Sequence, residues 1–198
     1  AHHSHGAVDW SIVRAMAPGL VIGSLVGPQI ATALPARTMA AVFAVFMGFT
    51  AWRMVRNAQP KPSRSLPAAP GLFGVGAGIG LLSGIVGAGG AFLSVPFMVR
   101  CNVRMHAAVA TSSALGMPIA LAATAGFVIA GMRKSGLPPH SLGFVYLPAL
   151  GAIVAASMLT APLGARLAHA WDVGRLKRAF ALLMFGLGGY MAWRAVAG

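Results

Sequence analysis

The chain of 198 residues contains no glutamate and only two aspartates, Asp9 and Asp172, against 15 lysines and arginines. Charged residues make up 9% of it, whereas a soluble chain carries about a quarter because its surface must face water. A water-soluble globular domain is therefore excluded. Acids paired for general acid–base work are missing, no nucleophile has a base at close spacing, and no metal-ligand pair falls on one helix face. Neither enzymatic activity nor a cofactor or resident metal is expected. A single cysteine, Cys101, excludes an internal disulfide and a thiolate metal cluster. His2-His3-Ser4-His5 has metal-binding residue types but reads as a solvated loop or an expression remnant.

What is present is apolar. Hydrophobic residues reach 58% and the mean hydropathy is +0.79. The 26 glycines and 13 prolines are commoner than in soluble chains, and the glycines sit inside apolar runs, as they do in membrane helices. The net charge of +13 does not form a basic stripe with interleaved aromatics, so nucleic acid is not an expected partner. The cations fall in short groups between apolar runs, where lipid headgroups are contacted and topology is set.

A helix needs about 20 apolar residues to cross the hydrocarbon core. Stretches free of Asp, Glu, Lys and Arg run over Ala15–Ala36, Thr38–Trp52, Ser65–Val99, Met105–Met132, Ser135–Ala165 and Ala179–Trp193, here segments A to F. The short B and F have flanking arginines that extend the span by snorkelling. Segments B and F are copies: a shift of 141 places Arg37 on Arg178, Gly48 on Gly189 and Ala51-Trp52-Arg53 on Ala192-Trp193-Arg194, seven identities in nineteen positions. Segment A matches E less clearly, Ser24-Leu25-Val26 against Ser157-Met158-Leu159, the difference in shift falling in the loop that holds Asp172.

If A and B answer to E and F, partners of C and D precede residue 1. The expected fold is thus an all-α polytopic membrane protein with six transmembrane segments present of eight, built as two homologous four-segment repeats. Residues 1–56 would be the later half of the first repeat, 57–70 a polar linker with Pro60-Lys61-Pro62, and 71–198 the second repeat. A six-segment protein with unequal halves is the competing view. Orientation is open. If every segment spans, the basic residues divide eight to seven between the two sides; if segment C is a re-entrant hairpin, they divide eleven to four.

Chemistry is expected in C and D. Gly76, Gly80 and Gly84 line one helical face and allow another helix to approach. Gly87, Gly89 and Gly90 instead weaken the helix locally, and Pro96 removes a donor soon after. Unwound backbone at membrane depth is tolerated where it is buried in protein or lines a cavity, and a half-helix N-terminus there binds anions. A plain kinked helix is the alternative. Ser83 and Ser94, with Thr111, Ser112 and Ser113 of D, supply hydroxyls to that site; back-bonding to the preceding turn is the other use of such residues. No ionised group lies deep in any segment, which argues against a cation pump or a cation-coupled symporter.

The run Gly80-Leu-Leu-Ser-Gly-Ile-Val-Gly-Ala-Gly-Gly-Ala-Phe-Leu-Ser-Val-Pro96, followed by Ala107-Ala-Val-Ala-Thr-Ser-Ser113, resembles the signature of the TauE/SafE sulfite-exporter family, with Ala91 where the family usually has a further glycine. Gly74 to Arg194 is similar to the second repeat of that family, and His2 to Val55 to the later half of the first. The resemblance implies a secondary transporter in the cell inner membrane that exports sulfite or an organosulfonate such as sulfoacetate. It carries over Gly87, Gly89, Gly90, Pro96, Thr111 and Ser112 as candidate substrate contacts. A passive anion channel and a non-transport scaffold packed through its glycine faces are the alternatives. Expected partners are the small anion, membrane lipids and a second copy of the chain.

Overall fold

A computed structural model describes residues 8–56, 64–87, 89–132, 134–170 and 173–197. The histidine run at residues 2–5, residues 57–63 of the proline-containing linker and Asp172 lie outside the described residues. The described chain is helical: α1 (Trp10–Ala33), α2 (Ala36–Val55), α3 (Ala69–Val86), α4 (Ala91–Arg100), α5 (Met105–Met132), α6 (Leu147–Ala170) and α7 (Val173–Ala197), with a two-stranded antiparallel hairpin of β1 (Ser141–Leu142) and β2 (Val145–Tyr146). Among them are six helices long and apolar enough to cross a membrane; α4, with ten residues, is too short. The expectation of a polytopic all-α membrane protein holds.

Segment C departs from a single span. Its 35 uncharged residues form α3 and α4, separated by residues 87–90. Gly87 closes α3 in the left-handed region at φ 70° and its N–H caps the Ser83 carbonyl at 2.8 Å, a conformation that a side-chain-bearing residue adopts at a cost. Segment E is also divided: its first residues form the β-hairpin, which packs its Gly143 and Phe144 backbone on Gly131 at the end of α5, before α6 begins.

The helices group into two compact units that do not follow chain order: residues 1–33 with 59–130, and residues 34–58 with 131–198. In the first, α1 and α3 run in parallel. Gly19 meets Phe73, Gly23 meets Ala77 and Leu81, and Gly27 meets Leu81 and Gly84, while Gly76 and Gly80 lie on the Met16 and Leu20 backbone. The glycine face expected on α3 is thus matched by an equivalent face on α1 that sequence inspection passed over. Ser24 Oγ donates to the Gly80 carbonyl across this seam at 3.3 Å. Ile12, Met16, Leu20, Leu72, Ile79, Met98, Ala108, Leu115 and Ile119 from α1, α3, α4 and α5 make the core.

In the second unit α2 packs on α7. A Cβ on Gly188 would lie 3.4 Å from Cβ of Met47, the residue 141 positions before it. Phe49 and Trp52 stack with ring centroids 6.3 Å apart and planes at 35°; Tyr190 and Trp193, again 141 positions on, give 6.2 Å and 36°. Arg56 lies over the Trp52 ring at 4.3 Å and Arg53 over Phe49 at 5.8 Å, so the end of α2 carries an aromatic–arginine anchor of the kind placed at membrane interfaces.

Candidate functional site: a broken helix at mid-depth

The first unit holds all the candidate residues. The decisive contact is distant from them: the Arg64 N–H donates to the Arg100 carbonyl at 3.1 Å. Arg64 stands five positions before the start of α3, a reach of at most about 17 Å. Helix α3 is about 27 Å long and α4 about 15 Å. Continued in one direction, they would carry Arg100 more than about 40 Å from Ala69. The chain therefore reverses at residues 87–90, and segment C is a hairpin with its base at Arg64 and Arg100.

The depth of the reversal follows from α5. A Cβ on Gly90 would lie 2.5 Å from Ile119 Cδ1 and 3.7 Å from both Ile79 Cγ2 and Ser83 Oγ. Ile119 stands halfway along the 28 residues of α5, and Ile79 lies inside α3 with Ser83 in its last turn. Helix α4 thus begins near the middle of the unit and returns to the side from which α3 started. Its N-terminus, a region of partial positive charge, is placed at mid-depth. Among the described residues the N–H groups of Gly89, Gly90 and Ala91 have no acceptor, as expected for a helix start. Gly87 and Gly89 are exposed and Gly90 is buried. The expectation of a broken helix is met, and a plain kink is not what forms.

The hydroxyls divide. Ser94 Oγ donates to the Gly90 carbonyl at 2.8 Å, and Ser94 Oγ and Ser112 Oγ lie 2.5 Å apart. The Gly90 carbonyl also accepts from the N–H groups of Leu93 at 3.1 Å and Ser94 at 2.9 Å. Ser94 and Ser112, both buried, therefore fasten the first turn of α4 to α5. Ser83, also buried, faces Gly90. Pro96 sits inside α4. Thr111 is fully buried, but its Oγ1 accepts from the Asp9 N–H at 3.0 Å, at the start of α1. Ser113 is exposed and donates back to the Val109 carbonyl at 2.9 Å. The structure brings together Ser83, Gly87, Gly89, Gly90, Ser94 and Ser112, and leaves Thr111 and Ser113 on other faces of α5.

Asp9 is more than a loop residue. Its carboxylate accepts from the Ser11 hydroxyl at 2.5 Å, the Ser11 N–H at 3.0 Å and the Ile12 N–H at 3.4 Å, so it caps α1. The Ser11 hydroxyl in particular holds the carboxyl below its ordinary value, with burial opposing. Among the described residues no group of three His, Cys, Asp or Glu is placed to hold a metal.

A family model described as "Sulfite exporter TauE/SafE" matches residues 1–191. The chain belongs to the TauE/SafE family. It is also 30% identical over 185 residues, 92% of this chain and 70% of the other, to a protein of Haemophilus influenzae described as "Probable membrane transporter protein". No solved structure matches the chain. As a TauE/SafE protein with six apolar helices of spanning length, it is a multi-pass membrane protein of a transporter family. Gln29 had gone unremarked in the sequence: it is the only carboxamide in the described spanning helices, and its Nε2 donates to the Gly126 carbonyl at 2.9 Å. A scan for amides inside apolar runs would have found it.

Proposed function

We propose that the protein is a secondary transporter that exports a small sulfur-containing anion, sulfite or an organosulfonate such as sulfoacetate, across the cytoplasmic membrane. The observation that carries this reading is the α4 N-terminus at mid-depth, with three successive backbone N–H groups and no ionised side chain beside it. Such a site favours an oxyanion through hydrogen bonds and helix dipole while leaving no fixed charge in the membrane when empty. In this reading Gly87, Gly89 and Gly90 let the chain turn and let the anion reach the backbone. Ser94 and Ser112 hold α4 in place, and Ser83 lines the turn.

The meeting of Gly188 with Met47, and the matching aromatic pairs of α2 and α7, support the two-repeat organisation. A rocking of repeats about the site would expose it alternately to each side. A passive channel shares the dipole-lined path but not the closure. The test is efflux of sulfite from sulfite-sensitive cells fed an organosulfonate, followed by counterflow of labelled substrate in vesicles. Faster efflux with counterflow supports the transporter, efflux without counterflow supports the channel, and no efflux from verified membrane protein removes the sulfite reading.

A further inference from the structure

The reversal at residues 87–90 also sorts charge. In the first unit α1, α3 and α5 run in the same direction: Asp9 just before α1 and Gln29 near its end meet Thr111 and Gly126 of α5, and Gly19 and Gly27 meet Phe73 and Gly84 of α3. Helix α4 runs against them, Ser94 meeting Ser112 and Gly90 meeting Ile119. Arg14 near the start of α1, Arg64 before α3, Arg100 at the end of α4 and Arg104 before α5 consequently share one end of the unit. The opposite end, with the last turn of α1 and α5 up to Ala130, carries no Lys, Arg, Asp or Glu, and neither does the hairpin turn at mid-depth. Asp9 is the only acid in the unit.

We propose that this arginine end is the cytoplasmic face of the protein, seated against the anionic headgroups of the inner leaflet, so that the hairpin enters from the cytoplasm and presents the α4 N-terminus from below. Basic residues flanking spans are retained on the cytoplasmic side, where anionic lipid attracts them. Counted along the sequence with segment C as a hairpin and the other five apolar helices as spans, the basic residues divide eleven to four in favour of this side. Without the reversal the division is eight to seven and no orientation results. The hydrogen bond between Arg64 and Arg100 therefore carries the assignment.

The test reads sidedness alone, so its outcome is separate from that of any transport assay. In a Cys101→Ala background, Ser65→Cys marks the arginine end and Ala33→Cys the opposite end; both positions are exposed. Spheroplasts are treated with a membrane-impermeant maleimide before and after permeabilisation, the second labelling showing that each thiol is reachable. A33C is expected to label from outside and S65C only after permeabilisation. The reverse pattern, or equal labelling of both from outside, overturns the proposal. Replacing Arg64, Arg100 and Arg104 together by Gln is expected to raise external labelling of S65C several-fold. An unchanged ratio would show that these arginines do not set the orientation.

Discussion

At Ser94 the hydroxyl hydrogen is committed to the Gly90 carbonyl, so in the short contact with Ser112 it is Ser112 that donates. Both protons of the pair are then used within the protein, and the pair fastens α4 to α5 instead of offering donors to a ligand. A double-mutant cycle on S94A and S112A, read by thermal unfolding in detergent, should give a coupling of about 0.5–1.5 kcal/mol. S113A, an exposed back-bonded serine, should change stability by less than about 0.5 kcal/mol. At the start of α1, D9A removes the cap of that helix and should cost about 1 kcal/mol. Because the folded carboxyl titrates below its unfolded value, its contribution is present above the unfolded pKa and lost as pH falls through the folded one. The stability difference between the wild type and D9A should therefore narrow only below about pH 4. A difference that stays constant down to pH 2 would detach it from the carboxylate.

The α1–α3 seam is where element-scale packing can be tested cleanly, because α3 carries glycines of both kinds. A Cβ on Gly23 or Gly80 would be driven into the backbone of the opposite helix, 2.6 Å from the Leu81 nitrogen for Gly23 and 2.9 Å from the Leu20 Cα for Gly80, whereas Gly78 has open space. Backbone cannot swing aside as a side chain can, so G23A and G80A should each cost about 1–3 kcal/mol by forcing the helices apart. G78A should be neutral, or stabilising by up to about 1 kcal/mol through helix propensity. Equal melting temperatures for G78A and G80A would refute the seam. Spacing alone revealed the α3 half of this contact, since positions four apart share a face whatever lies opposite. It did not reveal the partner, because Gly19, Gly23 and Gly27 are interspersed with Pro18, Pro28 and larger residues and nothing local says which helix a face will meet.

At the scale of the whole chain, composition and run length were enough to define a multi-pass helical membrane protein, because the need to satisfy every backbone group in lipid leaves few alternatives. The glycine break was legible for the same reason: three glycines in four residues cannot sustain a helix. The direction taken after the break was not legible, since Gly87 permits a turn without dictating one and the bond joining Arg64 to Arg100 spans 36 residues. The same break separates a wet site from a dry packing defect, and hydrogen exchange distinguishes them. In lipid nanodiscs the amides of Gly89, Gly90 and Ala91 should exchange within minutes, because they lack acceptors among the described residues and sit where an anion would be solvated. Those of Met16, Ala17, Gly19 and Leu20 and from Gly76 to Gly80, within helices in a close-packed seam, should stay protected for hours. Saturating sulfite should slow exchange at the hairpin turn several-fold and leave α1 unchanged. A turn that exchanges as slowly as α3 would make the break a buried structural bend and would leave the α4 N-terminus without access to any substrate.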